Sequence, residues 1–229
     1  MSRITVLFIV SGTGESNALK AGIYLAKRIG FNVSIASHQD QTTAYNIAVS
    51  EGVPYTKIAG IQDKGLWKKE LLDCIFQVNP SMIFLMYNRI IPSEVLQLIS
   101  CPIINIHPSV LPSFSGFLAV NQALQYKVKF TGVTAHLVDE TIDGGKPIIQ
   151  TVIPILKSYN GYNDLSPILN EHYCRIVYTL LFWLHEQINI DNELLVQKIL
   201  EDFCITDTSI RDMYPDPYAD KIKDLPIFK

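Results

Sequence analysis

The chain begins with an alternation of strand-like and helix-like patterns that restricts it to one fold class. "ITVLFIV" (residues 4–10) is a continuous apolar run, typical of a strand covered on both faces. The next segment, residues 15–30, repeats apolar side chains at helical spacing and ends at a glycine. The same order continues with strands predicted at 32–37, just after Pro54, at 81–87 and at 102–107, and helices at 42–52, 66–78 and 92–99. This rhythm predicts an α/β fold with a doubly wound, mostly parallel sheet and right-handed crossovers.

The rhythm changes after residue 117. A helix is predicted at 118–126, then two strands at 131–138 and 147–154 that are joined by a glycine-bearing loop. A long helix over 162–187 follows, and beyond it comes an acidic, proline-containing tail. We therefore expect one domain over residues 1–190 with a C-terminal helix, followed by a C-terminal extension over 191–229.

Composition excludes several classes of function. With 229 residues and 48% hydrophobic content, the chain can bury a full core, and its net charge of −3 gives no support to nucleic-acid or anionic-membrane binding. The four cysteines lie far apart without metal-ligand spacing, so we expect reduced thiols and no metal site. The first apolar run is too short to span a membrane and lacks a signal-peptide pattern, which predicts a cytoplasmic protein.

The strand at 102–107 ends in two polar side chains, Asn105 and His107. Residues i and i+2 of a strand point to the same face, so the amide and the imidazole project together. Pro108 keeps His107 extended, because the residue before a proline is pushed out of the α region. A single histidine is more often structural than catalytic, but this pairing at a strand's carboxyl end favours a functional site.

Other segments reach the same edge of the sheet, and each has a plainer alternative. "SGTGES" (11–16) lies between the first strand and a helix, where backbone amides favour an anion, but it is equally an ordinary turn. Asp143 in "DETIDGGKP" is either an exposed turn residue or a carboxylate that folds back to orient His107. Arg89 is either a wall of the cleft or a solvated cation, and His136 is interpreted as structural support.

"INIHPSVLPSFSG", "QALQ" and "TGVTAHLVDETIDGGKPIIQ" together resemble, in order and spacing, the folate-dependent formyltransferases. The likeness runs over about residues 4–187 and is greatest to the members that act on glycinamide ribonucleotide. It implies a Rossmann-like formyltransferase fold and a catalytic trio at Asn105, His107 and Asp143. It also implies 10-formyltetrahydrofolate as co-substrate, no metal, and a small-molecule amine acceptor carrying phosphate or diphosphate.

The resemblance also implies where the two substrates bind. The folate is expected against Arg89, Ile90 and Ile91 and against the loop that begins with Val138, Asp139 and Glu140. The acceptor's phosphate is expected on the turn from Gly12 to Asn17, and a sugar hydroxyl near Glu171. The predicted acceptor residues are Gly12, Thr13, Gly14, Ser16, Asn17 and Glu171. A homodimer is compatible with the sequence.

The departures from the family pattern concern the acceptor side. Glu15 stands inside the predicted phosphate turn, and "FLAV" (117–120) follows Gly116 where the family often has histidines. The leading hypothesis is formyl transfer to glycinamide ribonucleotide in purine biosynthesis, and the alternative is transfer to a nucleotide-linked amino sugar in surface polysaccharide biosynthesis. A hydrolase that releases formate and a folate- or nucleotide-binding module without catalysis are the competing classes.

Overall fold

A computed structural model describes residues 4–11, 16–38, 42–60, 62–87, 89–159 and 161–186. Seven strands occur in chain order: β1 (Thr5–Val10), β2 (Asn32–Ser37), β3 (Tyr55–Lys57), β4 (Met82–Met86), β5 (Ile103–His107), β6 (Phe130–Leu137) and β7 (Pro147–Pro154). The helices are α1 (Ser16–Arg28), α2 (Thr43–Glu51), α3 (Lys64–Val78), α4 (Ser93–Leu96), α5 (Ala119–Gln125) and α6 (Tyr162–His185).

The strands form one sheet in the order β3-β2-β1-β4-β5-β6-β7. The first five strands pair in parallel, whereas β5–β6 and β6–β7 pair antiparallel. The predicted doubly wound, mostly parallel sheet with a C-terminal helix is confirmed. The order reverses between β1 and β4, and ligands of open α/β sheets bind at the carboxyl ends of the strands beside such a reversal.

Both faces of the central strands are covered, as their unbroken apolar sequences predict. On one face, Phe8 of β1 stacks on Phe84 of β4 with ring centroids 5.1 Å apart. A Cβ added to Gly22 of α1 would lie 2.6 Å from the Phe8 ring, so α1 packs closely on the sheet there. On the other face, a cluster with Leu7 and Ile9 packs against Trp67 and other side chains of α3. The buried sheet gives the strand ends a rigid support.

Local signals account for the ends of several helices. The Thr42 side chain accepts a hydrogen bond from Tyr45 N at the start of α2, and Asp63 accepts one from Leu66 N at the start of α3. The helix predicted over 92–99 is shorter, because α4 covers only Ser93–Leu96. Beyond it the chain continues in tighter turns with bonds such as Leu98 N to Val95 O.

Contacts group the chain up to Leu181 into one compact unit. The predicted domain boundary at residue 190 and the extension over 191–229 lie outside the described residues and stay predictions. None of the helices in the described part of the chain is long and apolar enough to cross a membrane.

Candidate active site

The end of β5 presents Asn105 and His107 on one face of the sheet, as their i, i+2 spacing predicts. Asn105 is half-buried and His107 is buried. In the register with the antiparallel strand β6, Asn105 lies opposite His136 and His107 lies opposite Thr134. The antiparallel pairing therefore brings a second histidine to the site from 31 residues away in the sequence.

The loop between β6 and β7 carries Asp143 back to the same point. Asp143 has a left-handed backbone conformation, with φ of 51°. Its Oδ2 atom lies 3.2 Å from His107 Nδ1, and its Oδ1 atom accepts a hydrogen bond from Asn105 Nδ2 at 3.3 Å. The structure thus brings together the three residues that the sequence proposed as a trio, and their catalytic roles stay predictions.

The Asp143 carboxylate is the common acceptor of the site. Besides its contacts with Asn105 and His107 at the carboxyl end of β5, it accepts a 2.7 Å hydrogen bond from Gly116 N. Its Oδ1 atom also lies 3.6 Å from His136 Nε2. Burial alone raises the pKa of this carboxyl, but the contacts with His136, Gly116 and His107 outweigh burial and lower the pKa below its usual range. Asp143 is therefore ionised at neutral pH.

The His107 imidazole faces an acceptor at each nitrogen. Nε2 donates to the Phe114 carbonyl oxygen at 2.8 Å, and Nδ1 faces the Asp143 carboxylate. Only the cation satisfies both contacts, because each acceptor requires a proton on the ring nitrogen that it faces. Burial nevertheless lowers the pKa of His107 below 6.5, with His136 adding to this, although Phe114 and Asp143 oppose it. The ring is therefore buried in its neutral form. If it takes up a proton, the cation has two hydrogen-bond acceptors, the Phe114 carbonyl and the Asp143 carboxylate.

His136 contacts both Asn105 and Asp143. Its Nδ1 atom lies 2.9 Å from the Leu137 carbonyl oxygen, which can only accept, so Nδ1 carries a proton. Its Nε2 atom lies 3.2 Å from Asn105 Nδ2 and 3.6 Å from Asp143 Oδ1. The sequence indicated structural support for His136 but gave no sign that it contacts Asn105 and Asp143 directly.

A cavity of about 540 Å³ opens beside these residues. Five of the six predicted folate residues line it: Arg89, Ile90, Ile91, Val138 and Asp139. Glu140, the sixth, is exposed on the loop and is not part of the described lining. The volume is within the range of small-molecule sites, so the cleft suits a ligand of that size.

The predicted acceptor residues are only partly described. Gly12, Thr13 and Gly14, together with Glu15, lie outside the described residues, and their role stays a prediction. Ser16 begins α1 and Asn17 follows it, half-buried, while Ser11 at the end of β1 lines the cavity. Glu171 on α6 accepts two hydrogen bonds from Arg175. Among the described residues, Glu171 is not part of the cavity lining.

The sequence interpretation missed the apolar residues at the cavity mouth. Phe117, Leu118, Ile142 and Tyr162 are exposed and line the cavity. The replacement of family histidines by "FLAV" was the signal that pointed to Phe117 and Leu118. In the described part of the chain, no group of three or more His, Cys, Asp or Glu side chains is arranged to hold a metal ion.

We expect the folded protein to lose stability as the pH falls below about 6.5, the ordinary histidine value. Burial lowers the pKa of both His107 and His172, so the unfolded chain binds protons in a range where the folded protein does not. Each histidine contributes up to about 1.4 kcal/mol per pH unit to the slope of the unfolding free energy in that window. Urea unfolding at a series of pH values measures this slope.

The control for this prediction is His172→Gln, which removes one titrating group on α6 outside the trio. The variant should show a shallower dependence of unfolding free energy on pH than the unchanged chain, whatever its absolute stability. An unfolding free energy that is constant or rises as the pH falls from neutrality would contradict the lowered pKa values.

The fold and the site define an α/β protein whose ligand cleft lies at the carboxyl ends of parallel strands, with an Asn-His-Asp cluster in its wall. Residues 4–167 match the model of the family described as Formyl transferase. The match covers more than half of the chain, and the chain belongs to the formyl transferase family.

Two curated proteins illustrate the sequence likeness. A chloroplastic phosphoribosylglycinamide formyltransferase from Vigna unguiculata is 29% identical over 147 residues, which are 61% of this chain and 47% of that protein. The phosphoribosylglycinamide formyltransferase of Bacillus subtilis is 49% identical over 69 residues, which are 30% of this chain and 35% of that protein. The chain therefore spans less than half the length of either relative in these matches.

Solved structures cover more of the fold. Phosphoribosylglycinamide formyltransferase from Bacillus halodurans superposes with a TM-score of 0.71 at 25% identity, covering 79% of this chain and 95% of that one. Glycinamide ribonucleotide transformylase 1 from Geobacillus kaustophilus gives 0.72 at 28% identity, covering 80% and 98%. A formyltetrahydrofolate deformylase from Pseudomonas putida gives 0.68 at 26% identity, covering 81% and 66%.

Proposed function

We propose that this protein transfers a formyl group from 10-formyltetrahydrofolate to a primary amine of a phosphorylated acceptor. The observation that supports this most is the Asp143 carboxylate, which contacts both Asn105 and His107 in the wall of a ligand-sized cavity. Binding alone does not require such an arrangement, whereas acyl transfer requires both a donor for an oxyanion and a proton acceptor.

The transfer proceeds by attack of the acceptor amine on the formyl carbon. A carbon–nitrogen bond forms and the formyl oxygen becomes an oxyanion, and then the bond to N10 of the folate breaks. The proton lost by the amine is transferred to N10 of the folate, which completes its release as tetrahydrofolate. His107 accepts this proton at Nδ1, its unprotonated nitrogen, before the proton passes to N10. The cation donates from Nδ1 to the Asp143 carboxylate and from Nε2 to the Phe114 carbonyl.

Asn105 stabilises the oxyanion together with the His107 cation. Without substrate, Asn105 Nδ2 donates to Asp143 and lies 3.2 Å from His136 Nε2. One of these long contacts is exchanged for the oxyanion, while the other keeps the amide oriented. Donors held in place before the reaction stabilise developing charge without a cost of reorganisation.

The leading acceptor is glycinamide ribonucleotide, in purine biosynthesis. Two matched curated proteins and two of the superposed structures are named for this activity or substrate. The acceptor's phosphate is proposed on the turn between Gly12 and Asn17, beside Ser11 in the cavity wall. A nucleotide-linked amino sugar is the second candidate, and the apolar segment 117–120 at the cavity mouth favours it.

The test is a screen of the purified protein with 10-formyltetrahydrofolate. Glycinamide ribonucleotide and a panel of nucleotide-linked amino sugars are offered separately, and the formylated products are identified by mass spectrometry. We expect formylation of one phosphorylated amine, with tetrahydrofolate produced in equal amount. Formate release that is independent of any amine would instead indicate a hydrolase, and folate binding without turnover would indicate a binding module.

A further inference from the structure

Five large apolar side chains surround the mouth of the cavity that contains the Asn-His-Asp trio, and one of them, Ile90 on the predicted folate wall, is 53% exposed. Phe117 and Leu118 are 70% and 71% exposed, and Ile142 and Tyr162 are 55% and 52% exposed. All five line the cavity. Single exposed apolar residues are common on protein surfaces, but a group that lines one ligand cavity marks a binding surface.

The segment that carries Phe117 and Leu118 is fixed to the trio. Gly116 N donates to Asp143, and the Phe114 carbonyl accepts from His107. On its other side, the Phe117 carbonyl oxygen accepts a 2.9 Å hydrogen bond from Gln122 Nε2 in α5. The backbone on both sides of Phe117 is therefore fixed by hydrogen bonds to the trio and to α5.

Two residues of this segment have an unfavourable backbone conformation. Phe114 and Leu118 have left-handed φ values of 54° and 61°, in which L side chains are disfavoured. Leu118 also precedes α5 as its N-cap and offers no side-chain hydrogen bond to the helix. Its side chain is 71% exposed and lines the cavity, so this conformation places the leucine at the cavity mouth and not in the core.

The side chains of the segment limit what that ligand is. Residues 117–120 are Phe, Leu, Ala and Val and offer no polar side chain. A small, highly polar acceptor would leave the aromatic ring without a partner, whereas a flat, weakly polar ring would cover it.

We propose that the acceptor carries such a ring, of the nucleobase class, and that it stacks on Phe117 with Leu118 beside it. This inference rests on the proposed formyl transfer and selects its second acceptor candidate, a nucleotide-linked amine. The folate is predicted on the opposite wall, at residues 89–91 and 138–140. The contribution of Phe117 is therefore to acceptor binding.

The test measures binding of uridine diphosphate, thymidine diphosphate and inorganic pyrophosphate to the full chain by isothermal titration calorimetry. We expect at least one nucleoside diphosphate to bind more tightly than pyrophosphate. Phe117→Ala should weaken the affinity for that nucleotide by about tenfold, the effect of losing one stacked base. The affinity for pyrophosphate should not change. Phe117→Tyr retains the stacking face and should bind within about twofold of the unchanged protein.

Phe76→Ala is the matched control, because Phe76 is an exposed phenylalanine of α3 that does not line the cavity in the described structure. It should leave all affinities unchanged, and 10-formyltetrahydrofolate affinity should be unchanged in every variant. Nucleotides that bind no better than pyrophosphate, or a Phe117→Ala variant that weakens folate instead, would overturn the inference. Formyl transfer to glycinamide ribonucleotide without nucleotide binding would refute only the inference that the acceptor carries a nucleobase. Nucleotide binding without any formyl transfer would refute the proposed reaction.

Discussion

Replacing Asp143 by asparagine is expected to lower the rate of formyl transfer by about a hundredfold or more, roughly 3 kcal/mol of transition-state stabilisation. The carboxylate accepts from Gly116 N and Asn105 Nδ2 and faces His107. An amide of the same shape must turn its NH₂ group toward one of these donors in either orientation. The variant therefore loses both the geometry of the trio and the negative charge that stabilises the His107 cation.

His107→Ala should have an effect of similar size, since it removes the proposed proton acceptor. Steady-state rates with the acceptor identified by the screen measure both variants, and circular dichroism establishes that they remain folded. Asp73→Asn on the exposed side of α3 is the matched control and should retain full activity. Turnover close to normal in either variant of the trio would remove that residue from the mechanism.

The sequence predicted the sheet well because its strands carry their own signals. β2 and β7 have the predicted bounds, since each contains valine and isoleucine and is limited by turn residues. The shared face of Asn105 and His107 also follows from local geometry, the two-residue period of a strand. Features that depend on a few consecutive residues were therefore accessible before the structure.

The features that sequence reasoning missed depend on long-range register or on unfavourable local conformations. His136 contacts Asn105 because an antiparallel ladder aligns them, and the register of that ladder has no local signature. Asp143 and Leu118 have left-handed backbones that a propensity argument assigns to glycine or asparagine. Phe117 in an apolar run was not recognised as exposed, because an apolar pattern predicts burial.

Gly145→Ala is expected to impair formyl transfer although Gly145 contacts no substrate in the proposed mechanism. A Cβ at this position would lie 1.8 Å from the Leu137 carbonyl oxygen, which is backbone and has no room to move aside. Leu137 N is bonded to Lys146 O at 2.9 Å, so the base of the loop that carries Asp143 closes at this point. The added methyl group must push the two sides of the loop apart.

This displacement reaches Asp143, which lies two residues before Gly145. A misplacement of about 1 Å at a catalytic group costs on the order of a hundredfold in rate, so we expect a loss of that size. Overpacking should also lower the unfolding free energy by roughly 1–3 kcal/mol. The control is Gly161→Ala, because a Cβ there meets nothing within 4 Å, and it should leave both rate and stability nearly unchanged. If Gly145→Ala unfolds at the same urea concentration as the unchanged chain and keeps its rate, the closed base of the loop does not position Asp143.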